Sequence, residues 1–177
     1  RTEDSVRELK RLNAELANAN HEVGDASRAI QQLNDELFLT LSKIIDARDP
    51  YVSGHAAKVA DYATLIATEL RFPAERIVSL RQAGLLHDIG KIGVSEHILH
   101  KPAKLTPEEY EQVKTHASLG AEFLETSRGL RHLAPFVRHH HERWDGRGYP
   151  QALIGEQTPL EARILAVCDA VEAMASD

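Results

Sequence analysis

The feature of this sequence that most constrains its fold is a set of apolar helix faces that each include one polar side chain. In five separate segments, apolar residues recur every three or four positions, and each stripe includes a histidine or an aspartate. Residues three and four apart share one face of a helix, so each segment turns that polar side chain toward the core. The five side chains belong to His55, His87, His116, His140 and Asp169. With no convincing strand pattern, the sequence predicts an all-α bundle whose inward faces converge on one polar point.

These inward-facing side chains predict a metal site. A single histidine on an apolar face is more often a hydrogen-bonded core residue, but five such positions together would cost several kcal/mol if buried unpaired. Metal ions remove that cost, and imidazole and carboxylate ligands without thiolates suit iron, manganese or zinc. The candidate ligands are His55, His87, Asp88, His116, His140, His141 and Asp169.

Seven candidate ligands exceed the needs of one four-coordinate ion. We therefore expect two divalent ions, with Asp88 as the carboxylate that bridges them. A pair of ions can generate a hydroxide and hold both oxygens of an in-line phosphoryl displacement, which predicts hydrolysis of a phosphate ester. Lys91 follows closely enough to bind a phosphate oxygen, although its spacing equally allows a solvated surface lysine. We assign no ligand role to His97, His100, His132 and His139.

Residues 2–44 carry a different pattern, with apolar residues alternating every four and three positions. One seam repeats every seven residues from Leu9 to Ile44, and a second includes Leu12 and Leu33. Such heptads predict a coiled coil, here a parallel dimer. The alternative is a single amphipathic helix folded back on the body. Ala19 and Ala26 weaken the middle of the seam.

Turn and capping residues predict where the later helices begin and end. Asp49-Pro50 should end the first helix, and Ser53 should cap a helix that reaches about Leu70. Pro73 suits the first turn of the next helix. Two similar motifs, Thr106-Pro107-Glu108-Glu109 and Thr158-Pro159-Leu160-Glu161, predict threonine-capped helix starts.

Composition narrows the class of protein. The chain has 177 residues, 42% of them hydrophobic, which suffices for one helical domain with an extended appendage. A net charge of −6 argues against a protein that coats a nucleic-acid polymer. No window is apolar enough to span a membrane, and the N-terminus is too polar for a signal peptide. The single cysteine, Cys168, favours a reducing, cytoplasmic setting.

Several of these motifs together resemble the HD-GYP domain family. The resemblance covers the chain from about Arg48 to its end. It rests on His55, His87-Asp88 with Ile89-Gly90-Lys91, His116 with Gly120, the segment from His140 to Pro150, and the segment from Ala162 to Asp169. The extended Gly148-Tyr149-Pro150 loop separates this family from other HD-domain phosphohydrolases.

The resemblance implies an all-helical bacterial phosphodiesterase that opens cyclic di-GMP to pGpG, and in some members to GMP. It places the seven candidate ligands at metal positions, Asp88 at the bridging carboxylate and Lys91 beside the substrate phosphate. It also links Arg147, Gly148, Tyr149 and Pro150 to substrate binding and partner contacts. Iron or manganese is favoured, with zinc as a further choice.

The resemblance also implies a domain organisation. Residues 1–47 would form a coiled-coil signalling helix that joins an upstream sensor or receiver domain and forms a homodimer. Residues 48–177 would form the HD-GYP domain without its C-terminal helices. Some members bind a third metal through a glutamate four residues before the first histidine. Tyr51 occupies that position here, which predicts a two-metal site.

Two other functions remain open at this point. One is an HD hydrolase acting on another nucleotide, which the Gly148-Tyr149-Pro150 loop disfavours. The other is a catalytically inactive dimeric module that holds metal and binds cyclic di-GMP or partner signalling proteins. The complete set of candidate ligands disfavours loss of catalysis through decay of the site.

Overall fold

The structure, a computed structural model, describes residues 2–48 and 54–176. In that part of the chain no strand is present, and one isolated bridge pairs Asp145 with Ile154. The prediction of an all-α fold is confirmed. The helices are α1 (Thr2–Asp46), α2 (His55–Glu69), α3 (Ala74–Leu86), α4 (Glu96–Leu99), α5 (Pro107–Thr126), α6 (Ala134–Arg138) and α7 (Leu160–Ala175).

The chain divides into two compact units, Arg1–Leu37 and Phe38–Asp177. The described part of the first unit is helix throughout, and its seam residues are exposed: Leu9 by 60%, Val23 by 68% and Ile30 by 60%. This exposure leaves a continuous apolar stripe open to solvent. Across residues 2–48 and 54–176, no helix is both long and apolar enough to cross a bilayer.

The second unit has one hydrophobic core, built by α2, α3, α5, α6 and α7. Its fully buried larger side chains include Val59, Leu80, Leu86, Leu124, Leu133, Val137 and Leu165. The last turns of α1 also contribute, because Phe38 packs against this core while Ser42 and Ile45 are buried. The core fixes the helices whose inward stripes carry the polar side chains.

The two threonine motifs have different outcomes. Thr106 forms the predicted capping box: its Oγ1 accepts from the Glu109 N–H at 3.2 Å, and the Glu109 carboxylate accepts from the Thr106 N–H at 2.7 Å. The prediction of a Thr158 cap is wrong. Helix α7 begins at Leu160 with Pro159, not Thr158, at its N-cap, so the helix starts one residue later than predicted and has no side-chain cap. The Thr158 hydroxyl is buried without a hydrogen-bond partner among the described residues, and the Glu161 carboxylate accepts from Arg76 Nε at 2.5 Å.

The other predicted boundaries lie close to the observed ones or outside the described residues. Helix α2 ends at Glu69, and Pro73 precedes α3 rather than lying in its first turn. The Asp49-Pro50 stop, the Ser53 cap and Tyr51 lie outside the described residues. The apolar stripe before His140 lies in a short 3₁₀ turn, Arg131–Leu133, and in α6, which follows that turn.

A close backbone contact joins α5 to the 3₁₀ turn Ile89–Gly93. A Cβ atom on Gly90 would lie 1.9 Å from the carbonyl oxygen of His116 and 2.6 Å from the backbone nitrogen of Gly120. Only glycine allows this approach. The contact brings the turn that follows Asp88 against the helix that carries His116.

Replacing Gly90 with alanine should therefore destabilise the second unit. We expect Gly90→Ala to lower the free energy of unfolding by about 3 kcal/mol, the upper end of the usual overpacking cost. Urea unfolding followed by circular dichroism measures this change. Gly129→Ala is the matched control, because a methyl group there meets no atom within 4 Å. Equal stability of the two variants would contradict the close-contact argument.

Candidate metal centre

The seven predicted ligand residues lie close together, and all of them except His87 and His140 line one cavity. His55 begins α2, His87 and Asp88 follow α3, and His116 lies within α5. His140 and His141 follow α6, and Asp169 lies within α7. Three overlapping groups have their ligand atoms within 4.8 Å of one another: His116, His140 and His141; His55, His87 and Asp169; and His87, Asp88 and His140. The adjoining cavity has a volume of about 910 Å³.

Three of the histidines are held in the same way. Nδ1 of His87 donates to the Gly84 carbonyl at 2.7 Å, and the same bond is made by His116 to Val113 at 2.7 Å and by His140 to Val137 at 2.6 Å. A carbonyl oxygen only accepts, so Nδ1 must carry the proton. In each neutral ring Nε2 therefore presents a lone pair.

These lone pairs face one another inside the protein. Nε2 of His116 lies 3.4 Å from Nε2 of His140, and burial lowers the pKa of both rings, which keeps them neutral. Nε2 of His87 is buried without a hydrogen-bond partner among the described residues. Two opposed lone pairs are unfavourable unless a cation lies between them, and the buried His87 Nε2 is a third ring nitrogen without a hydrogen-bond partner. The donor set thus fits divalent metal ions.

Asp88 connects two of these histidines. Its Oδ1 lies 3.4 Å from His116 Nε2, and its Oδ2 lies 3.5 Å from His87 Nε2. Lys91 Nζ lies 2.7 Å from the same Oδ2. Burial would raise the pKa of Asp88, but His87 and Lys91 hold it well below the usual range. The carboxylate is therefore ionised and reaches both histidines, as a bridging ligand must.

His55 is held by carboxylates rather than by a backbone carbonyl. Its Nε2 lies 3.0 Å from Asp169 Oδ1, and its Nδ1 lies 2.5 Å from Glu172 Oε2. Burial alone would lower the pKa of His55, but the bonds to Asp169 and Glu172 outweigh burial and raise it to about 9. Both ring nitrogens of His55 therefore carry a proton at neutral pH, and the ring is positively charged.

His141 and Tyr149 form the edge of the site. Their ring centroids are 4.9 Å apart, and burial together with the nearby His116 lowers the pKa of His141 to about 4. Tyr149 lines the cavity, and the other predicted loop residues do not: Arg147 and Pro150 are exposed, and Gly148 packs against the backbone of residues 142–143.

Glu142 fastens this loop to the bundle. Its carboxylate accepts from the Gln151 N–H at 2.7 Å and from the Leu153 N–H at 3.0 Å. Gly148 lies so close to Glu142 that an added Cβ would be 2.5 Å from the Glu142 Cα. These contacts hold the loop that carries Tyr149 next to His141.

The four histidines assigned no ligand role lie apart from the three ligand groups. His100 Nε2 donates to the Arg48 carbonyl at 2.6 Å, and His132 Nε2 contacts Ser79 Oγ at 3.2 Å. His139 is nearly buried and lies 3.7 Å from Glu142. These contacts position local backbone and side chains outside the cavity.

Two residues of the site were not predicted from the sequence. Glu172 is 2% exposed and lines the cavity beside His55, and Lys58 Nζ lies 2.9 Å from its Oε1. One signal was available: Glu172 follows Asp169 by three residues, so the two share a face of α7. A glutamate in that position is too common on helices to be distinguished by spacing alone.

The raised pKa of His55 predicts how metal affinity depends on pH. A metal that binds His55 Nε2 must displace a proton at any pH below about 9, so affinity at that site should rise about tenfold per pH unit from pH 6 to 8. The site formed by His116, His140 and His141 should vary little, because their pKa values are lowered. Calorimetric titration with Mn²⁺ at pH 6, 7 and 8 resolves the two sites. Equal slopes at both would contradict this assignment.

Known proteins resemble the second unit of this chain in sequence and in fold. The sequence model of the HD domain matches residues 40–177. The 3'3'-cGAMP-specific phosphodiesterase 3 of Vibrio cholerae is 41% identical over 141 residues, which are 80% of this chain and 31% of that protein. The cyclic di-GMP phosphodiesterase of Thermotoga maritima is 38% identical over 143 residues, 80% of this chain and 39% of that protein.

A third relative, the cyclic di-GMP phosphodiesterase response regulator RpfG of Xanthomonas campestris, is 38% identical over 149 residues, 83% of this chain and 39% of its own length. The chain thus spans between about a third and two fifths of these relatives. A crystal structure of a cyclic GMP-AMP-specific phosphodiesterase of V. cholerae superposes with a TM-score of 0.62 at 19% identity, covering 79% of this chain and 41% of that one. That likeness shows the shared fold.

Proposed function

This chain belongs to the HD-domain family, in its HD-GYP branch, and we propose that it is a metal-dependent phosphodiesterase acting on a cyclic dinucleotide. The observation that carries this proposal is the arrangement of His87, His116 and His140. Each commits its Nδ1 proton to a backbone carbonyl, which leaves Nε2 as the nitrogen that can bind a cation, and all three rings lie close to Asp88. In a purely hydrophobic core, buried ring nitrogens without partners would be costly, whereas in a metal centre they would bind the ions.

The seven clustered residues would hold two divalent ions, with iron or manganese favoured and zinc also suited to these ligands. Bound there, such ions supply a hydroxide nucleophile at neutral pH and stabilise charge on a phosphodiester. Asp88 stays ionised and lies close to both His87 and His116. Lys91, fixed 2.7 Å from Asp88 on the cavity wall, would donate to a phosphate oxygen of the substrate.

The loop beside His141 would contribute to substrate binding. The Tyr149 ring lines the cavity next to His141 and offers a flat face to a guanine base. We retain Arg147, Gly148 and Pro150 as substrate or partner contacts, with Gly148 setting the tight packing of the loop. The cavity volume of about 910 Å³ lies within the range of small-molecule binding sites.

Our first choice of substrate is cyclic di-GMP, opened to pGpG; accumulation of GMP would show that the same site also cleaves pGpG. The relatives from Thermotoga and Xanthomonas support this choice by name. A second candidate is 3'3'-cGAMP, because the relative from V. cholerae that is 41% identical is specific for it. The two substrates differ in one base, so the same phosphodiester chemistry serves both. We place the reaction in the bacterial cytoplasm.

Metal content and turnover measured on one sample test this function. Protein purified without oxygen should contain about two metal ions per chain and should convert cyclic di-GMP to pGpG. Asp88→Ala should lose metal and turnover together, because it removes the carboxylate that contacts both His87 and His116. Asp61→Ala is the control, since Asp61 is an exposed carboxylate that lies 3.5 Å from Arg81 Nη2 and does not line the cavity.

The outcomes separate the candidate functions. Turnover of 3'3'-cGAMP in preference to cyclic di-GMP would select the second substrate. Two bound metals with no turnover of either would favour the inactive binding module. Hydrolysis that survives Asp88→Ala would contradict the site itself.

We also propose that residues 1–47 form a coiled-coil signalling helix, that residues 48–177 form the HD-GYP domain, and that the chain dimerises in parallel through residues 2–44. Taking Leu9 as heptad position a, the g positions include Glu8, Glu15 and Glu22, and the e positions include Asn13, Asn20 and Ser27. A parallel pair sets g opposite e, so glutamate meets asparagine or serine. An antiparallel pair sets g opposite g, so glutamate meets glutamate, which is unfavourable.

Arg48, two residues beyond the end of α1, contacts the segment that follows Lys91. Arg48 Nη1 donates to the Ile92 carbonyl at 2.7 Å, and Nη2 lies 3.5 Å from the Val94 carbonyl. These carbonyls belong to the segment that follows Lys91. Regulation by an upstream sensor or receiver domain would act by moving the end of α1, and with it the turn that positions Lys91.

Charges placed in the seam should abolish the dimer. We expect Leu16→Lys combined with Ile30→Lys to give a monomer in sedimentation and to change activity without altering metal content, because both residues occupy position a. Asn18→Lys with Gln32→Lys adds the same charge at outer positions c and should leave the dimer intact. A wild-type monomer well above micromolar concentration, or a dimer that survives the seam substitutions, would contradict the coiled coil.

A further inference from the structure

The buried carboxylate of Glu172 has no place in the ligand set described so far. It is 2% exposed, belongs to α7 and lies against the metal centre. Its contacts are His55 Nδ1 at 2.5 Å, Lys58 Nζ at 2.9 Å, and the hydroxyl of Ser176. Burying a carboxylate is costly, so this position calls for a specific physical reason.

The reason lies in where His55 falls along its helix. His87, His116 and His140 each use the carbonyl three residues earlier to hold Nδ1. His55 is the first residue of α2, so no turn of that helix precedes it. No carbonyl of α2 is therefore available three residues earlier, and Glu172 on the neighbouring α7 supplies the acceptor.

We infer that Glu172 is a positioning residue that holds the Nδ1 proton of His55 and aims Nε2 at the metal centre. This inference rests on the proposed metal-dependent function. The far nitrogen of the ring lies 3.0 Å from Asp169, a member of the same ligand group, so the ring is already aimed at that group. A carboxylate that accepts from the remote N–H of a ligating histidine fixes its orientation and makes it a stronger donor.

Lys58 and Ser176 complete the arrangement. Both contact Oε1 of Glu172, which leaves Oε2 for His55. The carboxylate is thereby held from both sides. Its position is set by α2 and α7 together, so the metal site containing His55 depends on the packing of those two helices.

Zn²⁺ titration of four proteins tests the role of Glu172. Glu172→Ala should weaken one of the two Zn²⁺ equivalents by about 10- to 100-fold, the usual effect of losing such a partner, and leave the other within about threefold. Glu172→Gln keeps an amide oxygen that can accept from Nδ1 but loses the charge, so its loss should be smaller, about tenfold at most. Wild type is the reference.

Glu161→Ala, the fourth protein, is the matched control. Glu161 is another buried carboxylate on α7, paired with Arg76 at 2.5 Å and outside the three ligand groups. Its removal should leave both Zn²⁺ affinities unchanged. Thermal unfolding of all variants reports how much each substitution costs in stability alone.

A second readout observes the hydrogen bond itself. In Zn²⁺-loaded protein with ¹⁵N-labelled histidine, the Nδ1 proton of His55 should give a downfield, slowly exchanging resonance in wild type and Glu172→Gln. Exchange with water should remove it in Glu172→Ala. A purely structural role for Glu172 would change unfolding without moving this resonance.

Three results would overturn the inference: unchanged Zn²⁺ affinities in Glu172→Ala, an equal loss in Glu161→Ala, or an unchanged His55 resonance without Glu172. If Glu172→Ala does not fold, unchanged affinity in Glu172→Gln overturns the inference in its place. All measurements omit nucleotide. A wild type that binds two Zn²⁺ but hydrolyses no cyclic dinucleotide would therefore refute the proposed activity and leave this inference standing.

Discussion

A hydrogen bond from a histidine Nδ1 to the carbonyl three residues earlier is the interaction on which the site depends. It decides which nitrogen of each buried ring carries a proton, and so which nitrogen can bind a cation. His87, His116 and His140 all make it. Because the acceptor belongs to the preceding helical turn, the chemistry of the site is determined by backbone geometry before any metal binds.

The same constraint explains how far the sequence could predict the structure. Helical periodicity identified which faces turn inward, and the seven candidate ligands lie together because those faces converge. The Thr106 cap was predictable because all of its partners lie within four residues. The Thr158 cap failed because α7 starts one residue later than the motif predicted, with Pro159 at the N-cap. Glu172 was missed because its importance comes from His55, 117 residues away.

Charge within the site is balanced locally, although the chain as a whole is acidic. Asp88 is compensated by Lys91, and Glu172 by Lys58, with His55 between Glu172 and Asp169. Burial would raise the pKa of Glu172, yet the bonds from Ser176, His55 and Lys58 lower it to about 2. Both carboxylates therefore stay ionised in a buried setting. The net charge of −6 argues against a polyanion partner without excluding a small phosphodiester at this one place.

The last turns of α1 present two different stripes at once. Phe38, Ser42 and Ile45 face the core of the second unit, while Leu41 and Ile44 remain exposed on another face. Each added residue turns a helix by about 100°, and seven residues restore the face to within about 20°. Within residues 38–46, one residue inserted between the exposed Leu41 and the buried Ser42 would therefore turn one of these faces by about 100° relative to the other. The two faces cannot change direction independently, because one helical backbone carries both.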